Sequence, residues 1–335
     1  MLQRRRSFLL SSALAAGACG RGKPTQRIRL VLAGTPANLA YLPHTIAQQL
    51  NFYRKEGLLV ALDAVPGGTR AAQALLGGST DVVVGFFDHS IRTSAQGQRV
   101  QPFVTMTRYP GNVLITSPYN SERIRKIEDL ARTSVGVSDL GSQPHMFLSY
   151  LLVRHGMSPS DVIPVGTGPQ KAAIAALERG RLDAWSGMEP GVTMVLRRHA
   201  NVRVLADART HQGVREIFGV DAYPGSVLYA KRDWLRQNSD NARRLAKAIQ
   251  ASLQWIHRHS VDDIMSVVPA DHLGQDRSVY REAVLQSRDI FSQDGKMPEE
   301  GPHTVRKVLA ASLDSVRKAH LDLDSTYTNE FVTGK

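Results

Sequence analysis

A twelve-residue pattern that occurs twice restricts the folds open to this chain. The stretch ALLGGSTDVVVG at residues 74–85 returns as ALERGRLDAWSG at residues 176–187, with Ala, Leu, Gly, Asp and Gly at the same positions. Each copy has the pattern of a helix that ends at a glycine, followed by a turn and a buried strand. The chain therefore repeats one structural unit, which predicts two regions of similar construction.

The elements around both copies follow the same order. Strands are expected at residues 28–34, 58–65 and 101–106 around the first copy, and at residues 134–138, 162–166 and 202–207 around the second. Helical patterns stop at Gly57 and at Gly156, at the same step of the two regions. Alternating strands and helices predict a parallel sheet in each region. A chain of 335 residues is also longer than one hydrophobic core usually organises, so we expect two lobes.

The N-terminus, MLQRRRSFLLSSALAAGACG, is typical of an export signal. Its apolar stretch at residues 8–18 is too short to span a bilayer, for which ~20 residues are needed. RRSFLL resembles a twin-arginine export motif, and an ordinary basic signal is the alternative. We expect residues 1–18 to be removed as a signal peptide, residues 19–27 to form a linker and Cys19 to carry a lipid anchor. Cleavage elsewhere, without a lipid, is the alternative.

Cysteine content and charge exclude several classes of function. Cys19 is the single cysteine, so the body of the chain has no disulfide, cysteine nucleophile or thiolate metal site. The formal charge is +12, but the basic residues are scattered, which argues against a nucleic-acid partner. The sequence has no HExxH pair, GxSxG turn or P-loop. We therefore expect no enzymatic activity, no bound metal and no cofactor.

Glycine and polar residues follow the predicted strands of both lobes. Open parallel sheets bind ligands at the carboxyl ends of their strands, where helix N-termini offer backbone N–H groups. If the two lobes face each other across these ends, the loops after Gly85 and Gly187 contact one ligand. The candidate ligand-binding residues are Thr35, Tyr41, Gly68, Thr69, Phe87, Asp88, His89, Ser142, Gln143, Gly187, Glu189 and Tyr223.

Some of these candidates have a structural alternative. Asp88 could cap the following helix instead of contacting a ligand, and Ser142 could cap its helix instead of holding an anion. Phe86 and Phe87 adjoin one strand end, where one ring packs inward, and Phe87 is our candidate for the cleft. Glu189 could receive donor groups of a ligand or form an ion pair near a hinge.

These features together resemble the periplasmic solute-binding proteins of ABC importers, in the broad family of sulfonate, taurine and nitrate binders and thiamine-pyrimidine-precursor binders. The resemblance rests on YLPHTIAQQLNFYRKEGLLV, GGTRAAQALLGGSTDVVVG, KIEDLARTSVGV, AALERGRLDAWSGMEP and YPGSVLYAKRDWL. It implies an α/β, two-lobed Venus-flytrap fold, type II-like, with two connections between the lobes. Lobe one would comprise residues 28–115 and 225–335, and lobe two residues 116–224.

The resemblance also implies an exported monomer, in the periplasm or lipid-anchored on the extracytoplasmic face, that delivers a small solute to a membrane permease. A sulfonate or nitrate would be held by N–H groups, with Arg70 as the nearest cation. An amine or aminopyrimidine would be held by Asp88 and Glu189. Tyr41 and Tyr223 would stack on such a ring. An enzyme of the thiamine-precursor type on the same fold is the alternative.

Overall fold

The computed structural model describes residues 26–333. The predicted signal peptide at residues 1–18 and the predicted lipidation of Cys19 lie outside these residues. The first strand begins at Gln26, so the last two residues of the expected linker are part of a strand. Across residues 26–333, no helix has the length and apolar character needed to cross a bilayer.

The strands of the described chain form two sheets of five. They are β1 (Gln26–Ala33), β2 (Leu58–Val65), β3 (Val82–Phe86), β4 (Val100–Thr105), β5 (Val113–Thr116), β6 (Ser134–Val137), β7 (Ile163–Gly166), β8 (Ala184–Gly187), β9 (Val204–Asp207) and β10 (Ser226–Lys231). The first sheet has the order β2-β1-β3-β10-β4, and the second has the order β7-β6-β8-β5-β9. We call each sheet with its covering helices lobe one and lobe two.

Helices alternate with the strands and then continue to the C-terminus. They are α1 (Leu42–Gln49), α2 (Phe52–Lys55), α3 (Gly67–Gly77), α4 (Phe87–Ala95), α5 (Gln143–Arg154), α6 (Gln170–Glu178), α7 (Gly191–Arg198), α8 (His211–Phe218), α9 (Arg232–Gln237), α10 (Ser239–Arg258), α11 (Val261–Val267), α12 (Ala270–Leu273), α13 (Arg277–Ser287), α14 (Gly301–Ser312), α15 (Asp314–Lys318) and α16 (Glu330–Thr333). Short 3-10 turns include Leu39–Tyr41 after β1.

The two-lobed α/β architecture is confirmed, but the sheets are mixed rather than parallel. β10 pairs antiparallel with both β3 and β4, and β5 pairs antiparallel with β8 and β9. The chain crosses between the sheets after β4 and again after β9. β5 and β10 are the first strands after these crossings. Residues 113–115, which we expected in lobe one, therefore pair in the second sheet.

The first half of the repeat serves to end a helix. Leu75 and Leu177 are fully buried and anchor α3 and α6 on their sheets. Gly78 and Gly180 follow with positive φ angles of 80° and 68°. This left-handed backbone ends a helix at little cost only when the residue is glycine.

The second half of the repeat fastens one strand to its neighbour. The Asp81 carboxylate accepts the backbone N–H of Arg29 in β1 at 2.9 Å. The Asp183 carboxylate accepts the backbone N–H of Ser134 in β6 at 2.8 Å, in the equivalent place of lobe two. Each aspartate thus satisfies a strand N–H one residue before that strand begins to pair with the strand after the aspartate, at Leu30 with Val82 in lobe one and at Val135 with Ala184 in lobe two. The repeat is explained in large part by this shared construction.

One expected helix is divided. The pattern from Tyr41 to Gly57 predicts a continuous helix, but the structure separates α1 from α2 at Asn51. Asn51 has a φ of 58°, and asparagine tolerates this left-handed conformation better than most residues. The division leaves Tyr53 buried, with its hydroxyl 2.8 Å from Nδ1 of His44.

The C-terminal helices contact both lobes. α10 packs on α1 and α2 of lobe one. α14 contacts α4 of lobe one and α5 of lobe two, and α13 contacts α7 of lobe two. The main core joins the first sheet, these helices and α5, whereas a smaller core lies among β5, β8, α6 and α7.

Candidate functional site

A cavity of about 530 Å³ lies between the lobes. Its wall is formed where β1, β2 and β3 end in lobe one and where β6, β7 and β8 end in lobe two. These are the carboxyl ends of parallel strands, the expected place for a ligand. The volume lies within the range of roughly 300–1,000 Å³ that small-molecule sites occupy.

Three helices begin at the cavity wall without a side-chain cap. The residues before α3, α5 and α6 are Pro66, Ser142 and Pro169, and none of their side chains bonds the following turn. Ser142 instead accepts the N–H of Asp139 at 3.3 Å. First-turn N–H groups and the positive ends of the helix dipoles therefore face the cavity, which favours a negatively charged guest.

His89 lies across the start of α3. A Cβ atom on Gly68 would come within 1.9 Å of Nε2 of His89, so this close approach requires glycine. The imidazole is 4% exposed and lines the cavity. Burial lowers the pKa of His89, Asp88 opposes this shift, and Arg92 adds to it. A neutral imidazole offers one donor and one acceptor to a guest.

Two oppositely charged side chains line the cavity from opposite lobes. Arg70 comes from the first turn of α3, and Asp139 comes from the loop before α5. Both are exposed, and in the described part of the chain neither forms an ion pair within 4 Å. A polar guest with groups of both signs would find one counter-charge on each side.

Aromatic side chains form part of the same wall. Tyr41, Phe86 and Trp185 line the cavity, and the Tyr41 and Phe86 ring centroids lie 5.8 Å apart. The Tyr41 hydroxyl donates to the carbonyl of Ala33 at 2.7 Å, which fixes this ring at the end of β1. Gln143 also lines the wall, and its Oε1 is buried without a partner among the described residues.

Seven of the twelve candidate residues line the cavity. They are Thr35, Tyr41, Gly68, His89, Ser142, Gln143 and Gly187. The structure does not bring Thr69, Phe87, Asp88, Glu189 or Tyr223 to the wall. Ligand contact by the seven residues stays a prediction.

Phe87 and Asp88 do not reach the wall, because the chain turns from strand β3 into helix α4 directly after Phe86. β3 ends at Phe86, whose ring faces the cavity, and α4 begins at Phe87, whose ring is fully buried in the core. The inward ring is therefore Phe87, the reverse of our expectation. Asp88 lies in the first turn of α4, buried, with both carboxylate oxygens unpartnered among the residues described.

Glu189 forms the hinge-side ion pair that was the alternative to ligand contact. Its carboxylate lies 2.5 Å from Nη1 of Arg209 and accepts the N–H and hydroxyl of Thr193. Arg209 also donates to Asp207 and to Gln286 on α13. Burial raises the pKa of Glu189, and the charge of Arg209 opposes that rise.

Tyr223 and Thr69 are directed elsewhere. The Tyr223 ring stacks on Phe218 with centroids 4.5 Å apart, and Phe218 stacks in turn on Tyr150 of α5. Burial raises the pKa of Tyr223 well above its usual value. Thr69 is exposed on α3, outside the cavity lining.

Sequence reasoning missed several wall residues of lobe two. Trp185 in β8 has the pattern of a core residue, although its ring reaches the cavity wall. Asp139 and Gln170 flank helix starts, and Gln170 donates to the carbonyl of Met188 at 2.6 Å. The available signal was their position, since Asp139 lies between β6 and α5 and Gln170 is the first residue of α6 after β7.

The two lobes also touch each other directly beside the cavity. Asn38 Nδ2 lies 3.4 Å from Sδ of Met188, and the N–H of Leu39 donates to the carbonyl of Glu189 at 3.4 Å. Met188 is also part of the cavity wall. A guest in this cavity would contact both lobes at once.

Comparisons with known proteins give one family and several relatives. Residues 38–262 match the family described as NMT1/THI5 like. YtlA of Bacillus subtilis, provisionally named a binding protein, is 25% identical over 299 residues, which are 88% of this chain and 85% of YtlA. The 4-amino-5-hydroxymethyl-2-methylpyrimidine phosphate synthase of Schizosaccharomyces pombe is 29% identical over 150 residues, 44% of this chain and 41% of that protein.

Solved structures share the fold over nearly the whole chain. A protein from Bordetella bronchiseptica RB50 has a TM-score of 0.86 at 34% identity and covers 92% of this chain and 96% of its own. The alkanesulfonate-binding protein SsuA from Xanthomonas axonopodis pv. citri, bound to MOPS, has a TM-score of 0.70 at 16% identity. That match covers 92% of this chain and 99% of SsuA, and at this identity it shows the fold alone.

Proposed function

The chain belongs to the NMT1/THI5-like family, and from this premise we propose that it is the extracytoplasmic substrate-binding component of an ABC importer. It captures a small solute between its lobes and presents the closed form to a membrane permease. The observation that carries this proposal is the cavity enclosed by the strand ends of both lobes. The names of SsuA and YtlA, both described as binding proteins, support it.

Capture follows from the two-lobed geometry. A solute that contacts both walls does so only when the lobes are together, so it stabilises the closed form by its differential affinity. The contacts of Asn38 with Met188 and of Leu39 with Glu189 join the two lobes directly and also stabilise the closed form. A permease that recognises this form would receive loaded protein in preference to empty protein.

The wall favours an anionic solute of the sulfonate type. The uncapped starts of α3, α5 and α6 converge on the cavity, and Arg70 adds a full positive charge. Asp139 supports an amino group elsewhere on the same solute. A pyrimidine is the second candidate, because Tyr41, Phe86 and Trp185 offer apolar ring surfaces in the same wall.

A thermal-shift screen tests this function. The compounds are ethanesulfonate, taurine, nitrate and 4-amino-5-hydroxymethyl-2-methylpyrimidine, each raised to saturation. A compound at about 100 times its Kd stabilises the folded chain by roughly 2.7 kcal/mol. We expect a sulfonate to raise Tm the most. If none of the four changes Tm, the proposed ligand classes are wrong.

Gly68→Ala shows whether the stabilising compound occupies this cavity. The new Cβ would collide with His89 and push the imidazole into the cavity, so we expect binding to weaken at least tenfold by calorimetric titration. Gly77→Ala, at the other end of α3 with free space around it, is the matched control. Equal affinities of both variants would place the bound compound elsewhere.

The enzyme alternative rests on the Schizosaccharomyces pombe synthase, which resembles less than half of this chain. A transport protein returns its solute unchanged. The name of that relative gives the pyrimidine phosphate as its product, so mass spectrometry of a cell extract with and without the purified chain separates the two functions, and new pyrimidine phosphate in the presence of the chain would favour the enzyme.

We also propose that the protein is an exported monomer, anchored through a lipid on Cys19. The support is the N-terminal pattern of arginines, apolar residues and small residues before the single cysteine. Cys19→Ser should move the protein from the membrane to the soluble fraction, and unchanged fractionation would contradict the anchor. Arg5→Lys with Arg6→Lys should hold precursor in the cytoplasm if export uses the twin-arginine route.

A further inference from the structure

Arg92 connects the two lobes beside the cavity. It lies on α4 of lobe one, and its guanidinium donates to the carbonyl of Gly141 in lobe two. Gly141 is part of the loop between β6 and α5, the same loop that carries Asp139 into the cavity wall. A Cβ on Gly141 would lie 3.3 Å from Nη2 of Arg92, so the guanidinium rests directly on this loop. The contact requires the lobes to be together.

His145 holds the same loop from within lobe two. The N–H of Gly141 donates to Nδ1 of His145, in the first turn of α5, at 2.8 Å. Nδ1 accepts a hydrogen bond only while it carries no proton. The two hydrogen bonds of Gly141, one through its N–H and one through its carbonyl, therefore connect a titratable ring in lobe two to a cation in lobe one.

The charges around His145 favour the neutral ring in the closed form. Burial lowers the pKa of His145, and the positive charge of Arg92 lowers it further. Within residues 26–333, the elements that pack on α5 are β8, α14 and the 3-10 turns Ile127–Leu130 and Pro159–Asp161, and none of them adds a further charged group to this shift of the pKa. The Ser149 hydroxyl donates to the backbone carbonyl of His145 and does not bond the imidazole ring.

We propose that Arg92, Gly141 and His145 form an acid-released latch, which adds to the contacts that stabilise the closed form at neutral pH. When His145 takes up a proton, Nδ1 becomes a donor and can no longer accept the N–H of Gly141. The imidazolium also repels the guanidinium of Arg92. The loop then loses the conformation that presents its carbonyl to Arg92, and the lobes separate.

The direction of the pH effect follows from linkage. In this structure the pKa of His145 lies below the ordinary 6.5, first through burial and second through the charge of Arg92, and separation of the lobes would remove the effect of Arg92 and so raise the pKa. Closure is therefore fully favoured above this ordinary value and is lost as the pH falls through the lower one. Each unit of difference between the two values changes the ratio of closed to open molecules about tenfold.

Small-angle X-ray scattering on the full chain without solute tests the latch. We expect the radius of gyration to rise between about pH 7.5 and about pH 5, which brackets the ordinary pKa of histidine. Circular dichroism at both values distinguishes lobe separation from unfolding. A radius that is independent of pH would overturn the proposal, whether the chain is compact or extended.

Substitutions assign the effect to these residues. His145→Asn keeps an acceptor near Nδ1 but cannot titrate, so it should stay compact at both pH values. Arg92→Gln should be extended at both. His155→Asn, at the other end of α5 where the ring pairs with Glu128 of the same lobe, should behave as the unmodified chain. Acid opening of His145→Asn equal to that of the unmodified chain would overturn the proposal.

The use of this latch, release of solute in an acidic medium, rests on the proposed function. Its test does not, because the scattering experiment uses no solute. A chain that opens with acid but binds none of the screened compounds would retain the latch and lose the proposed ligand classes. A chain that binds a sulfonate but does not open with acid would retain the proposed function and lose the latch.

Discussion

Glu189 supports the floor of the cavity through an ion pair. Met188, the residue before it, lines the cavity, and the Glu189 side chain turns away to Arg209 and Thr193. Its side chain is 3% exposed and that of Arg209 is 9% exposed, so water screens the pair poorly. Without Glu189, Arg209 keeps its ion pair with the partly exposed Asp207, but Thr193 loses the buried acceptor of its N–H and hydroxyl.

Glu189→Ala should therefore lower the free energy of unfolding by about 1–3 kcal/mol, measured by urea denaturation without solute. This replaces the expectation from the sequence that Glu189 contacts the ligand. Glu122→Ala is the control, because Glu122 is 77% exposed in its pair with Arg125 and should cost less than about 0.5 kcal/mol. Unchanged stability with lost solute binding would return Glu189 to the ligand site.

At the scale of elements, the two aspartates of the repeat fasten strands in equivalent places. Asp81 bonds the backbone and the guanidinium of Arg29 in β1. Asp183 bonds the backbone and hydroxyl of Ser134 in β6, each at 2.8 Å, and also Asn120. Burial pushes the pKa of Asp81 up, but the hydrogen bonds from Arg29 outweigh this effect and lower the pKa.

Asp81→Ala and Asp183→Ala should each lower the free energy of unfolding by about 1.5–3 kcal/mol, since each removes charge-assisted hydrogen bonds to a strand. The contribution of Asp81 is present above its ordinary pKa of 3.8 and should be lost as the pH falls below it. Asp314→Ala, in an exposed pair on α15, should change stability little. Urea denaturation at several pH values measures all three, and a silent Asp183→Ala would contradict the role of the repeat.

Strands and helices with a clear apolar period could be predicted from the sequence, whereas the direction in which a single side chain points could not. The strands and helices around both repeats appear where their patterns place them, because apolar spacing reports burial. β5 and β10 are short apolar runs in the segments that we expected to connect the lobes. Only the tertiary structure shows which sheet each of them joins. Whether Phe86 or Phe87 faces the cavity depends on where β3 ends, and the outward turn of Glu189 depends on the distant Arg209.

At the scale of the whole molecule, polar contacts between α7 and α13 join lobe two to the C-terminal helices. Arg197 on α7 donates to the hydroxyl of Ser278 at 2.5 Å and lies within 4 Å of Asp276 and Glu282. Gln286 on α13 accepts from Arg209. Arg197 is 38% exposed, so each of its ion pairs is worth less than about 1 kcal/mol and is screened by salt.

Arg197→Ala should shift the ratio of closed to open molecules up to about fivefold toward the open form, as expected for a loss below 1 kcal/mol. Scattering at low and high salt should show a salt effect in the unmodified chain and a smaller one in this variant. Arg244→Ala, whose ion pair with Asp240 lies within α10, should keep the full salt effect. A salt effect of the same size in Arg197→Ala would contradict this role of the contacts.

The two halves of the chain exchange one strand each, because β5 lies in the second sheet and β10 lies in the first. If the strands are counted as two consecutive sets of five, each set gives its last strand to the sheet of the other, where that strand pairs on both sides. A fragment that ends before β10 would have a gap between β3 and β4, and a fragment that begins after β5 would have one between β8 and β9. Neither half holds a complete sheet, so we expect neither half to fold alone and the two lobes to unfold as one unit, as in an intramolecular swap.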